Sequence, residues 1–245
     1  MLKIPENKKF RHLPDYMKVH LLLISPQNTK VVVIGYCFIL LDFCLIPLLT
    51  PINTIINIAT IPFLLFINLW AIRLLVKNPY TTQMETILFL GVTSFIGAIS
   101  YLITSMKVSY LFFGITSIWY FLVLSLVYFT VISIAINFQI KKFSSINDSL
   151  DESKKWYNNK NFLSLITVGP GIGYILFFAT KKNELFMHTL FLIACIGLTI
   201  LFSYISTKYI HKYMFMKVNN HLLIIQKPSD KKKRKAYENK GVVYK

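Results

Sequence analysis

Apolar runs of about twenty residues, recurring along the chain with almost no charge inside them, limit what it can fold into more than any other feature. As helices such runs cross roughly 30 Å of hydrocarbon. A soluble core would need polar cover for so much apolar surface. Here 55% of residues are hydrophobic, only 15% are charged, and the mean hydropathy is +0.55. The expected fold is therefore an all-α, polytopic membrane bundle. Six spans are read, at 31–50, 54–76, 85–105, 109–139, 161–180 and 185–208. Residues 1–30 precede them as a cytoplasmic segment, and 209–245 follow as a basic cytoplasmic tail. The run at 109–139 is longer than one crossing needs and is expected to tilt or to extend past the bilayer.

The basic residues give this count a direction. With six spans, 24 of the 27 Lys and Arg fall on one side, leaving Lys107, Lys181 and Lys182 on the other. That asymmetry places both termini in the cytoplasm. An odd number of spans would scramble it. A net charge of +17 could point to nucleic acid, but the cations flank the apolar runs, so the bilayer is the expected partner and nucleic acid is not. The tail, KPSDKKKRKAYENKGVVYK, suits anionic lipid or a plain topology anchor. The segment before the first span mixes Leu21, Leu22 and Leu23 with Lys18 and His20, as an interfacial anchoring helix would. Lys-, Asn- and Ile-rich usage fits an AT-rich genome and a bacterial plasma membrane. The location expected is the cell membrane, as a multi-pass protein.

Lipid gives helices no hydrophobic reason to associate, so small and polar residues mark the packed faces. At helical spacing, Asn53, Asn57, Thr60, Leu64, Asn68 and Ala71 share a face at the second span. Gly91, Ser94, Ala98, Tyr101 and Ser105 share one on the third, and Gly114, Ser117, Phe121, Ser125 and Tyr128 one on the fourth. His188, Leu192, Cys195, Thr199, Ser203 and Ser206 align on the sixth. Interhelical hydrogen bonding and a substrate cavity both account for such stripes. Asp42 stands apart as the one acidic residue deep within a span, where its insertion costs roughly 2.5–3.5 kcal/mol. It is expected to face the bundle at the level of Asn57 and Thr60, protonated or neutralised by a bound cation. Arg73 lies too far along the second span to pair with it and is expected to snorkel to headgroups. His188, near the outer end of its span, is a candidate ligand-binding or merely terminal histidine.

FLSLITVGPGIGYILFF, 162–178, holds the last candidate. Its TVGPG differs in one letter from a potassium-channel filter, but it lies inside a single span without a preceding pore helix, which excludes that reading. Gly169 and Gly173 allow close helix approach, while Pro170 frees a backbone carbonyl and can open a break at Gly171. Broken helices at mid-bilayer recur at transporter sites. No nucleotide-binding, metal-ligating or nucleophile–base pattern is present, so no enzyme, catalytic residue, metal or cofactor is expected. Two functions remain. The first is a permease-like transport component with a site at Asp42, Asn57, Thr60, Gly169, Gly171, Gly173 and His188, driven by a partner ATPase or an ion gradient. The second is a non-catalytic binding module, such as an immunity or accessory protein that meets a peptide or membrane partner.

Overall fold

A computed structural model of the chain describes residues 2–5, 8–43, 54–144 and 183–223. Every element among them is helical. A single 3-10 turn, Phe10–His12, precedes α1 (Asp15–Leu21). Next comes α2 (Pro26–Ile34), with a proline at its first turn, where the missing N–H costs nothing. The helix continues without a break as a π-helical segment, Gly35–Phe43. Then follow α3 (Thr54–Val76), α4 (Gln83–Phe113), α5 (Ile118–Lys142) and α6 (Glu184–Val218), closed by a 3-10 turn at Asn220–Leu222.

By length and composition α4, α5 and α6 can each cross a membrane. Taking α1 with Pro26–Ile39 as one span, bent by 76° across the link between them, makes four. The apolar stretch Thr60–Val76 of α3 is shorter. The fifth span expected at 161–180, with the glycines at 169, 171 and 173, lies outside the described residues.

The helix ends have local causes. Asn78 opens the α3–α4 link by accepting the Tyr80 N–H on its side chain at 3.1 Å. The Asn183 side chain accepts the Phe186 N–H at 3.2 Å and caps α6. Gly114 stops α4 with φ 63, a left-handed conformation that only glycine adopts without strain. This moves a boundary. The third and fourth spans were expected to part near Lys107. Instead α4 runs to Phe113, Lys107 is buried within it, and the turn lies at 114–117. The five residues transferred to α4 explain why the fourth run looked too long. Gly114 and Ser117, expected on a packed face, form that turn. Phe121 and Ser125 are half-buried and Tyr128 is buried, so the rest of the stripe does face inward.

α4 is the centre of the bundle: 72% of its apolar window is buried, against 6% for α5. All five residues of its expected stripe are buried, as are Cys195, Thr199, Ser203 and Ser206 on α6. The two helices approach closely at Gly91. A β-carbon there would stand 2.8 Å from Ile210 Cγ1, and the Ser206 hydroxyl donates to the Gly91 carbonyl at 3.0 Å. Gly97 gives the same clearance to Phe202 and to Leu41 of the π-helical segment.

A second core forms at the end of the bundle that carries α1. There Met17 and Leu21 pack with Ile87, Phe143, Phe215 and Met216. Asn219, fully buried, accepts the Ile4 N–H at 2.7 Å and donates to the Leu2 carbonyl at 3.1 Å. The N-terminal segment, expected as an interfacial anchor, is thus folded against the end of α6.

Candidate functional site

The π-helical segment determines what surrounds Asp42. Its hydrogen bonds span one residue more than those of an α-helix, a rare geometry that is frequent at functional sites. Cys37 and Asp42 are five residues apart, one π repeat, and both reach Asn68 of α3. An ordinary α-helix would rotate them about 140° away from each other. The Asn68 amide donates to the Asp42 carboxylate at 3.3 Å and to the Leu64 carbonyl at 2.9 Å. Its oxygen accepts the Cys37 thiol at 3.9 Å. One asparagine therefore uses both ends of its side chain to tie the segment to α3. One turn away, the Tyr36 hydroxyl meets Ser94 of α4 at 2.7 Å.

Asp42 is 6% exposed, and no Lys, Arg or His among the described residues pairs with it. Asn68 belongs to the expected polar stripe, but Asn57 and Thr60 were the expected partners. Thr60 is buried on the same face, eight residues from Asn68 and about 12 Å along the axis. The Asn57 side chain, like the glycines at 169, 171 and 173, lies outside what is described.

His188 is not brought to this site. It stacks on Phe112, ring centroids 3.9 Å apart, where α6 begins and α4 ends. Leu41 touches α4 at Gly97, fifteen residues and about 22 Å before Phe112. Arg73, expected to snorkel, is half-exposed and has a partner at hand. Its guanidinium pairs with Glu85 at 3.0 Å, and the Trp70 indole N–H donates to the same carboxylate at 3.0 Å. The pair clamps α3 to the start of α4.

Sequence reasoning missed a second polar constellation, at the α1 end. His20 Nε2 and His211 Nδ1 are 3.1 Å apart, and the His20 ring stacks on Phe143 at 4.0 Å. Burial pushes His20 far below the usual histidine range, to about 2, and the positive neighbours His211, Lys212, Lys208 and Lys142 add to this. Half of the signal was legible. Met17, His20 and Leu21 fall at the spacing of one buried helical face, and Thr207, His211 and Phe215 at the spacing of another, with Lys208 and Lys212 flanking it. That the two faces meet is a long-range fact, which no local pattern carries.

These contacts make Asp42 a buried acceptor held by one neutral amide, and they make the α1 end a convergence of bases. Comparison with protein-family models, with characterised proteins and with solved structures finds no match to the chain, so its functional reading rests on these two sites.

Proposed function

We propose that the chain is a six-span, permease-like transport component of the cell membrane, of the bacterial plasma-membrane type, with both termini in the cytoplasm. In this reading Asp42 is the group that takes up and releases a proton or cation. The observation that carries it is a carboxyl group almost excluded from solvent, inside a π-helical stretch of a membrane helix, with a neutral amide as its described partner. A carboxylate in such a place is costly unless it is protonated or holds a cation, and intramembrane acids commonly mark ion pathways. The π-helical ladder adds a backbone able to revert to α-helical pairing, which would turn Cys37 and Asp42 away from Asn68. The distribution of Lys and Arg supports the topology. The sequence carries no ATP-binding pattern, so the driving force comes from a partner ATPase or an ion gradient.

The test is proton and sodium flux in proteoliposomes. The native chain is expected to dissipate an imposed gradient, Asp42→Glu to retain part of that flux, and Asp42→Asn to abolish it at unchanged abundance. Equal flux through the native and Asp42→Asn proteins would sink the reading. A second reading, a binding module that meets a peptide or helix within the bilayer, draws on α5, whose apolar window is only 6% buried among the described residues. Capture of such a partner, unaffected by Asp42→Asn, would favour it.

A further inference from the structure

The α1 end of the bundle joins two features that neither reading uses. The first is a groove of about 270 Å³ between α5 and α6, walled by Phe95, Ile132, Ile136, Ile210 and Met214. The second is the basic cluster. His211 belongs to both, lining the groove and touching His20. Lys208 and Lys212 stand one turn apart on α6, Lys142 ends α5, and all three are positive neighbours of His20. The Lys212 ammonium donates to the Val19 carbonyl at 3.3 Å, which leaves two of its three protons for another acceptor. No described carboxylate forms an ion pair with any of these lysines.

Gln139 adds an independent observation. It is 3% exposed and lines the groove, yet its side-chain amide makes no hydrogen bond among the described residues. An amide that opens on a groove without a described protein partner fits a ligand with acceptor oxygens, and His211 links that groove to the three cations. The apolar wall asks in addition for a hydrocarbon chain. Both demands meet in one class of molecule that surrounds a membrane helix.

We propose that this groove binds one anionic phospholipid, its phosphate between Lys142, Lys208 and Lys212, its ester oxygens on the Gln139 amide, and an acyl chain along the Ile132–Ile136 wall. Charge-assisted hydrogen bonds select the anion, and the apolar wall selects a lipid over a free phosphate. The site does not depend on transport, and its failure would leave the Asp42 reading untouched.

Binding of phosphatidylglycerol, phosphatidylcholine and inorganic phosphate to the full-length protein in detergent, read by thermal unfolding and native mass spectrometry, tests it. Phosphatidylglycerol is expected to raise Tm and to persist as a single adduct, where phosphatidylcholine and phosphate do neither. The pair Lys208→Gln and Lys212→Gln is expected to weaken the lipid roughly tenfold to thirtyfold. Arginine at both positions restores binding, and Ile136→Trp blocks the chain while sparing the lysines. Equal stabilisation by phosphatidylcholine, equal stabilisation by phosphate alone, or an unchanged lysine double variant would overturn the proposal.

Discussion

At the residue scale, His20 makes the most direct prediction. Its ordinary pKa is 6.5, and docking of α1 lowers it to about 2, so the undocked segment binds the extra proton. Docking is therefore fully stable above about pH 6.5 and weakens as the pH falls below it, by at most about 1.4 kcal/mol per pH unit. The protection factors of residues 15–21, that is, hydrogen exchange corrected for the intrinsic rate, followed from about pH 8 to about pH 5 in zwitterionic detergent, are expected to fall toward acid. His20→Phe, which keeps the ring against Phe143, is expected to weaken that dependence and leave the part due to His211, which burial also holds below its ordinary value. Asp42 shows how far single residues were legible. A lone acid in an apolar run announces its own burial. Its donor could not be read, because Asn68 reaches both Asp42 and Cys37 only across a π repeat, and sequence periodicity was counted at 3.6. Removing that donor with Asn68→Ala leaves two buried groups without their shared partner, at a cost of about 1–3 kcal/mol measurable as a lowered thermal midpoint.

At the scale of elements, the stripes of small and polar residues on α4 and α6 were legible because lipid leaves packing as the main reason to place them there. The glycines were less so. Attention falls on the GxxxG at 169–173, while the described residues display close approaches at Gly91 and Gly97, neither of which has such a partner. Two substitutions separate clearance from helix propensity. Gly91→Ala places a methyl group against Ile210 side chain and backbone and is expected to destabilise by about 1–3 kcal/mol. Gly197→Ala meets nothing within 4 Å and is expected to gain roughly 0.5–1 kcal/mol. Equilibrium unfolding of the two variants in one detergent compares them directly. The misplaced α4–α5 turn has the same lesson. Gly114 supplies a stop signal that is local and strong, but it is masked when a glycine is counted as a packing residue.

At the scale of the molecule, α5 is expected to separate the two faces of the membrane. With the native cysteines replaced, an impermeant maleimide added to intact cells should label Thr116→Cys in the α4–α5 turn. It should leave Ser144→Cys untouched until the cells are opened. Labelling of both from outside would remove the six-span topology. The whole is organised around α4, as its depth of burial indicates, and its far corners are tied by Asn219. That residue holds Ile4 and Leu2 from a position more than two hundred residues later in the chain. A ribosome makes those partners more than two hundred residues apart. Ile4 and Leu2 must wait for the end of α6 before they find their place, so docking of this segment follows the synthesis of α6. A chain arrested before α6 emerges would present Met17 and Leu21 unburied, in the form that quality-control proteases recognise.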